Sequence, residues 1–307
     1  MRALIASDRE GGVEALSLAD RPYPHAAEND VIVRVHAASF TPGELDWPAT
    51  WTDRAGRDRT PSIPGHEVSG VVAALGYGTT GLTVGQRVFG LTDWARDGAL
   101  AEYVAVEARN LAPLPADISH VDAAGLPISG LTAWQGLVTH GALRAGQTVL
   151  VHGAAGAVGA LAVQIARQVG ATVLGSGRRS RRDAVLAIGA HGFVDLESDW
   201  VGSLEGVDVV FDVIGGDVLA DSATVLRPGG TLVSVAEPPT PSRPDIRSSF
   251  FVVEPSRRQL TRLSRMVLDG RLTPQVAGTV SLDEAPAAFG RRPSGPGKVI
   301  VEVANDA

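Results

Sequence analysis

Three glycines in one short segment carry the clearest chemical signal in this sequence. Residues 149–159 read VLVHGAAGAVG, so an apolar run leads into a glycine turn and then into residues at helical spacing. Such a turn lets a phosphate approach the backbone, and the next helix offers free N–H groups and a positive dipole end. An unliganded tight turn in an α/β domain is the alternative interpretation. The predicted pyrophosphate-binding residues are Gly153, Ala155, Gly156, Ala157, Val158 and Gly159.

The exit of the next predicted strand is rich in serine and arginine. Residues 175–182 read GSGRRSRR, and no acid appears before Asp183. NAD sites usually hold the ribose hydroxyls with Asp or Glu about 20 residues after the glycine turn. Serine hydroxyls and guanidinium groups suit a 2′-phosphate instead, which arginine can bind through paired hydrogen bonds. We therefore predict NADPH as the cofactor, the alternative being arginines that cover a solvated helix face.

Alternating strand and helix patterns surround these residues and would position them. Such alternation predicts a parallel, doubly wound sheet with helices on both faces. The first third of the chain is predicted to be β-rich. The predicted elements are strands at 2–6, 31–39, 66–75, 86–91, 101–107, 148–152, 172–174, 207–213, 231–235 and 298–303, and helices at 158–169, 181–188, 217–226 and 256–269.

Composition limits the classes of function. The 307 residues suggest about two domains. A net charge of −7 argues against a nucleic-acid or anionic-membrane surface. The absence of cysteine excludes disulfides, thiolate metal ligands and a cysteine nucleophile. No stretch resembles a signal peptide or a membrane span, so we expect a cytoplasmic protein with neither nucleic-acid nor membrane partners.

Motifs along nearly the whole chain resemble the medium-chain dehydrogenase/reductase superfamily, specifically its zinc-independent quinone oxidoreductase (zeta-crystallin-like) branch. The order and spacing of the motifs make the resemblance specific. The motifs are AASFTP at 37–42, PGHEVSGVV at 64–72, LP at 126–127, GLTAW at 130–134, GAAGAVG at 153–159, FDVIGG at 211–216 and GKV at 297–299.

The resemblance implies an α/β fold in which a Rossmann doubly wound parallel sheet is inserted in a GroES-like β-rich catalytic domain. We expect the first part of the catalytic domain at 1–118, the NADPH-binding domain at 119–255 and the return to the catalytic domain at 256–307. The resemblance also implies a homodimer.

The family's cofactor contacts can be carried over by position. Thr132, Ile214 and Val235 would lie near the nicotinamide half of NADPH. Ser176, Arg178 and Arg181 would lie near the adenosine phosphate. Phe250, Phe251 and Val252 would close over the cofactor, and Lys298 would add a contact from near the end of the chain.

No metal site is predicted. Zinc-dependent relatives use a cysteine, the histidine of a GHE motif and a second cysteine. Here His66 remains, but Thr41 stands at the first cysteine position and the second falls near Ile128. A catalytic zinc needs about three protein ligands, so His66 is better interpreted as a structural or site-lining residue.

The missing metal favours a particular reaction. Reduction of a plain ketone makes a basic alkoxide that normally needs a metal or a strong acid. Hydride addition to an α,β-unsaturated carbonyl or a quinone makes a delocalised anion, which hydrogen bonds can stabilise. The predicted activity is therefore NADPH-dependent reduction of a quinone or enone.

The predicted substrate side includes Thr41 and Glu44, where the sequence differs from the family pattern. Many relatives carry Asn at the position of Thr41 and Asp near Glu44, and this sequence departs at both. Thr41 is proposed to bind the substrate carbonyl while solvent supplies the proton, although a simple loop role fits equally. Asp46, Trp47 and Trp51 line the substrate site or serve packing. A non-catalytic NADPH-binding sensor or scaffold, and a tailoring enoyl reductase of specialised metabolism, are the alternative functions.

Overall fold

The chain forms two compact units, each of which has its own sheet. The structure, a computed structural model, describes residues 1–240, 243–291 and 295–304. Unit 1 contains Met1–Ile128, Pro255–Leu268 and Val276–Ala307. Unit 2 contains Ser129–Glu254 and Asp269–Gln275.

The regular elements are numbered in chain order over the described residues. The strands are β1 Arg2–Ala6, β2 Leu16–Asp20, β3 Asp30–Ser39, β4 Glu67–Leu75, β5 Arg87–Leu91, β6 Tyr103–Glu107, β7 Leu111–Pro113, β8 Thr148–Val151, β9 Thr172–Gly177, β10 Gly192–Asp195, β11 Val207–Asp212, β12 Leu226–Ser234, β13 Arg247–Phe250, β14 Val276–Ser281 and β15 Lys298–Glu302. The helices are α1 Pro48–Trp51, α2 His120–Ala124, α3 Pro127–Trp134, α4 Ala157–Val169, α5 Arg182–Ile188, α6 Gly216–Val225, α7 Arg257–Leu268 and α8 Ala285–Phe289. A π-helix at Gln135–His140 continues α3, and 3₁₀ turns lie at Gly12–Ala15, Glu44–Asp46, Ala108–Asn110, Arg179–Arg181 and Val201–Ser203.

The unit boundaries differ from the predicted segments. The first boundary falls after Ile128 rather than after residue 118, because α2 packs on β3 and β4 of unit 1. The Ile128 N–H also donates to Glu67 Oε1 at 2.8 Å. Residues 269–275 return to unit 2, where Gln164 in α4 bonds the backbone of Thr273. Residues 292–294 and 305–307 of the last predicted segment lie outside the described ranges.

Unit 1 is built on a mixed, mainly antiparallel sheet around β3, in which β14 pairs in parallel with β15. The order of the sheet is β14-β15-β3-β4-β5-β7, with β6 also pairing with β3, and β1 and β2 form a separate hairpin. β3 is buried along its length except at Arg34. The strand is covered on both faces, so the consecutive residues Val31, Ile32 and Val33 are all buried although they face opposite sides.

Unit 2 contains a parallel sheet of order β10-β9-β8-β11-β12-β13. All five pairings in it are parallel. The direction of strand order reverses at β8, because β9 lies on one side of it and β11 on the other. Ligands bind such sheets outside the carboxyl ends of the strands at this reversal. The predicted α/β class with a doubly wound parallel sheet is confirmed.

Helix α4 follows the glycine turn and ends as predicted. Gly156 is its N-cap, and Gly170 ends it in a left-handed conformation with φ of 89°. The Gly170 N–H bonds the carbonyls of the last turn, which a side chain-bearing residue would do only with strain. Leu161 and Ile165 lie on the buried face. The structure therefore holds the N-terminus of α4 at the end of β8.

Among the described residues, none of the helices has the length and apolar character that crossing a membrane would require.

Candidate functional site

The glycine turn after β8 forms a cradle that side chains would fill. Gly153 has φ of 68°, in the left-handed region that favours glycine. A Cβ added to Gly159 would lie 2.2 Å from the Gly153 carbonyl oxygen, closer than any real contact. Gly156 is exposed and caps α4 without a side-chain hydrogen bond. The first N–H groups of α4 are therefore left for an anion, which fits a pyrophosphate.

Several predicted cofactor residues meet at the same carboxyl edge of the sheet. Ile214 follows β11 and lies beside the glycine turn, since a Cβ on Gly153 would be 3.4 Å from its Cγ1. Ile214 is 45% exposed. Val235 follows β12, and Phe250 ends β13 opposite Ser234. Because parallel strands end at one edge, these residues lie in a row on the side where a dinucleotide would bind. Thr132 is buried within α3.

Asp212 shapes the turn that presents Ile214, and the sequence analysis did not single it out. Its carboxylate accepts hydrogen bonds from the N–H groups of Ile214 and Gly215, both at 3.1 Å, and from the Ser234 hydroxyl at 2.8 Å. Burial raises the pKa of Asp212, whereas these hydrogen bonds oppose the rise. In the sequence, the one indication of this role is an acidic residue at the end of a predicted buried strand.

The arginines after β9 do not all remain available for a phosphate. Arg179 Nε bonds Asp195 Oδ2 at 2.8 Å, and Arg182 lies 3.6 Å from Asp183. Arg178 is exposed, and its side chain makes no hydrogen bond or ion pair within the described ranges. Strand β9 ends at Gly177, so the residue at its C-terminal end has no acidic side chain. Arg178 is therefore a candidate for binding a 2′-phosphate, and the half-buried Arg181 stays a predicted contact.

Two predicted cofactor residues point into the protein instead. Ser176 is fully buried and its hydroxyl lies 2.6 Å from His152 Nδ1, because β9 continues three residues beyond the predicted end at residue 174. Phe251 is buried and stacks on His140 at 4.3 Å, whereas Phe250 and Val252 on either side are exposed. Neighbouring residues of an extended chain face opposite sides, so these three cannot all face the cofactor.

Unit 1 holds a buried polar cluster around the predicted catalytic loop. Glu44 is fully buried and accepts hydrogen bonds from the N–H groups of Thr41, at 3.0 Å, and Gly65, at 2.6 Å. The Thr41 hydroxyl oxygen is buried and has no hydrogen-bond partner among the described residues. An unpaired buried hydroxyl is costly, and within the described ranges the hydrogen-bonding capacity of this atom is unused.

His66 connects Glu44 to an aromatic pair. Its Nδ1 lies 2.6 Å from the Thr92 hydroxyl, and its Nε2 lies 3.5 Å from Glu44 Oε1. The ring meets Trp94 edge-on at 5.2 Å, and Trp94 meets Trp47 edge-on at 5.3 Å. Burial, with a smaller contribution from Arg59, lowers the pKa of His66 to about 3, so the ring is neutral near pH 7. Thr92 and Trp94 were not singled out by the sequence analysis.

Two further predicted site residues of unit 1 are buried and have partners within the unit. Trp51 is buried in the core of unit 1 and its Nε1 donates to the Leu45 carbonyl at 2.7 Å, so its role is packing rather than contact with substrate. Lys298 is buried and its ammonium is paired with Glu67, whose carboxylate also accepts from Ser39 at 2.5 Å. Lys298 therefore pairs with a buried acid of unit 1, and its contact with the cofactor stays a prediction. Asp46 is exposed.

The donors at this cluster do not fit a catalytic zinc ion. Thr41 offers a hydroxyl where a thiolate would be needed, and both ring nitrogens of His66 already face Thr92 and Glu44. Over the described ranges, no three His, Cys, Asp or Glu side chains are grouped so that they could hold a metal. A catalytic zinc needs about three protein ligands, which is more than the residues of this cluster offer.

We expect Glu44→Gln to change how stability depends on pH. Burial raises the pKa of Glu44 from 4.5 to about 7, so the folded protein keeps a proton that the unfolded chain releases. This contribution to stability is complete below pH 4.5 and is lost as the pH rises through about 7. Wild type should therefore lose about 3 kcal/mol relative to the variant between about pH 4.5 and 8.

Chemical denaturation across that pH range measures the difference. Glu28→Gln is the matched control, because Glu28 is exposed in the same unit, and it should follow the wild-type curve. If the Glu44→Gln and wild-type curves run parallel, Glu44 is not held as a neutral acid in the folded protein.

Comparisons with known proteins place these features among dehydrogenases. A family model described as "Zinc-binding dehydrogenase" matches residues 188–301, and one described as "Alcohol dehydrogenase GroES-like domain" matches residues 27–116. The second match confirms the predicted GroES-like character of unit 1.

Individual relatives and a solved structure are also similar. The Spectinabilin polyketide synthase system protein NorB of Streptomyces orinoci is 36% identical over 73% of this chain, which spans only 11% of that protein. The chloroplastic NADPH-dependent alkenal/one oxidoreductase of Arabidopsis thaliana is 33% identical over 90% of this chain and 72% of its own length. The structure of the quinone oxidoreductase from Coxiella burnetii superposes with a TM-score of 0.92 at 28% identity, covering 99% of both chains.

Proposed function

We propose a function from one premise: the chain belongs to the medium-chain dehydrogenase/reductase superfamily, in its quinone oxidoreductase branch. It is therefore an oxidoreductase that binds a nicotinamide cofactor and acts on a small molecule. We infer further that the cofactor is NADPH, that no metal takes part, and that the hydride acceptor is a quinone or an α,β-unsaturated carbonyl compound.

The observation that carries the NADPH proposal is the end of β9. Gly177 stands at the strand end, where an acidic side chain would favour the free ribose hydroxyls of NADH. Arg178 follows it, exposed and unpaired within the described part of the chain. A guanidinium group there would bind a 2′-phosphate through charge-assisted hydrogen bonds. The Arabidopsis relative, whose name includes NADPH dependence, supports the same choice.

The residues of unit 2 fit the bound cofactor. The first N–H groups of α4 would hold the pyrophosphate, Ile214 and Val235 would border the nicotinamide half, and Phe250 would belong to the segment that closes over the cofactor. When bound, NADPH supplies a hydride. The exposed apolar surface of Ile214 and Val252 would exclude water from the cofactor.

Thr41 is the proposed catalytic residue of unit 1. Its buried, unpartnered hydroxyl can donate a hydrogen bond to the carbonyl oxygen of the substrate. The negative charge on that oxygen is delocalised in an enone or quinone, so a neutral donor is enough to stabilise it. Solvent then supplies the proton that completes reduction. Trp47 and Asp46 remain proposed substrate contacts.

An NADPH-oxidation screen over quinones and α,β-unsaturated ketones tests this function. We expect turnover with members of at least one class, at a rate that a zinc chelator leaves unchanged. Plain ketones should react at least about 100-fold more slowly, because their alkoxides lack delocalisation. Binding of NADPH without turnover of either class would contradict the enzyme proposal and favour a redox sensor or scaffold.

A second candidate is an enoyl reductase of specialised metabolism. The similarity to a segment of a polyketide synthase protein favours it. It shares the hydride chemistry and differs in substrate, so product analysis with an enoyl thioester would separate the two.

A homodimer and a cytoplasmic location also remain proposals. Sedimentation velocity would show whether the purified chain is a dimer.

A further inference from the structure

A buried histidine directly precedes the glycine turn in the chain. His152 follows β8, is fully buried, and meets Trp200 edge-on at 5.3 Å. Its Nδ1 lies 2.6 Å from the Ser176 hydroxyl of β9, and its Nε2 lies 2.9 Å from the Ser222 hydroxyl of α6. One ring thus joins three elements of unit 2, and no step of the proposed reaction uses it.

The hydrogen-bond donors in this network can be assigned. The Ser222 hydroxyl has one proton, and it donates that proton to the Val218 carbonyl at 2.6 Å. Ser222 must therefore accept from His152 Nε2–H. Burial lowers the pKa of His152 to about 3, so the ring is neutral and its Nδ1 accepts from Ser176. The chain of bonds runs in one direction, from Ser176 through His152 to Ser222 and Val218.

Ser176 is consequently held from two sides. Its carbonyl accepts from the Ala154 N–H of the glycine turn at 3.0 Å, and its hydroxyl donates to His152. Gly177 and Arg178 follow it directly. The network therefore links the turn that would hold the pyrophosphate to the residues that would hold the 2′-phosphate.

We propose that His152 is a positioning residue that fixes the exit of β9 relative to the glycine turn, so that Arg178 meets the 2′-phosphate. This inference rests on the proposed use of NADPH. A buried residue with only a packing role would affect stability and all nucleotides alike, whereas a positioning role predicts a selective loss of 2′-phosphate recognition.

Two substitutions of His152 separate these roles. His152→Phe fills similar space but leaves the Ser176 hydroxyl without an acceptor. His152→Asn places an amide oxygen near the position of Nδ1, which keeps the Ser176 bond and abandons Ser222. Both should unfold at a lower temperature than wild type, because each breaks a buried hydrogen bond.

The measurement is calorimetric binding of 2′,5′-ADP and of 5′-AMP, which differ only in the 2′-phosphate. We expect His152→Phe to lower the affinity for 2′,5′-ADP about tenfold and to change that for 5′-AMP less than about twofold. His152→Asn should keep the wild-type ratio of the two affinities. Ser176→Ala removes the donor of the same hydrogen bond, so it should lower the affinity for 2′,5′-ADP as selectively as His152→Phe does. It also tests the proposal if His152→Phe does not fold.

Different outcomes contradict different claims. If wild type binds the two nucleotides equally, the NADPH proposal fails. If wild type prefers 2′,5′-ADP but His152→Phe and Ser176→Ala keep that preference, the positioning role is wrong. An equal loss of preference in His152→Asn and His152→Phe would also overturn it, because the ratio would then follow stability rather than the Ser176 bond.

Discussion

Replacement of Gly159 by alanine is expected to lower NADPH affinity by at least about 100-fold. The added Cβ would lie 2.2 Å from the Gly153 carbonyl oxygen and 2.7 Å from Ala154 Cα, and both are backbone atoms that cannot rotate away. The turn must therefore move and take the first N–H groups of α4 out of line with the pyrophosphate. Losing two charge-assisted hydrogen bonds costs about 3–6 kcal/mol, which is at least a hundredfold in affinity.

Titration of NADPH fluorescence against the purified variant measures this loss. Gly278→Ala is the matched control: an added Cβ there meets nothing within 4 Å, the backbone φ is not positive, and the residue is exposed in β14. It should bind NADPH like wild type. A Gly159→Ala variant whose affinity stays within about threefold of wild type would show that the turn does not hold the cofactor.

Substitution of both Arg178 and Arg181 by alanine is expected to remove the preference for NADPH over NADH. Two guanidinium groups that bind a phosphate contribute about 1.5–3 kcal/mol each through charged hydrogen bonds. The kcat/KM with NADPH should fall about 100-fold, whereas that with NADH should change less than about threefold, because NADH has no 2′-phosphate to lose. Steady-state kinetics with both cofactors provide the comparison.

Arg182→Ala is the control for a general loss of positive charge. Arg182 lies in the same cluster, is exposed and faces Asp183, so its removal should leave the cofactor preference nearly unchanged. The assignment of Arg178 and Arg181 is wrong if the double variant retains the wild-type ratio, or if Arg182→Ala changes it equally.

The features that sequence predicted well are local ones. The glycine turn, α4 and its end at Gly170 depend on residues that are neighbours in the chain, so their spacing and capping residues are visible directly. The residue at which β9 ends was harder to predict. Gly175 and Ser176 interrupt the apolar pattern, yet they lie inside a parallel strand that is buried on both faces.

The buried polar contacts could not be predicted in the same way. The pairing of Lys298 with Glu67 joins residues 231 positions apart, and it exists because β15 pairs with β3, which pairs with β4. Nothing in the local sequence around Lys298 indicates that partner. Strand β13 was also missed, and with it the alternation that turns Phe251 inward while Phe250 and Val252 face outward.

We propose that this chain transfers a hydride from NADPH to a conjugated carbonyl compound without a metal. The most direct test uses NADPH deuterated at the transferable position of the nicotinamide ring, an α,β-unsaturated ketone or quinone from the screen, and a zinc chelator. Mass spectrometry and NMR of the product then locate the deuterium. We expect deuterium on the β-carbon of a reduced ketone, or a hydroquinone formed in equal amount to the NADPH consumed. Unlabelled substrate recovered from a protein that binds NADPH, or turnover that the chelator abolishes, would contradict the proposed function.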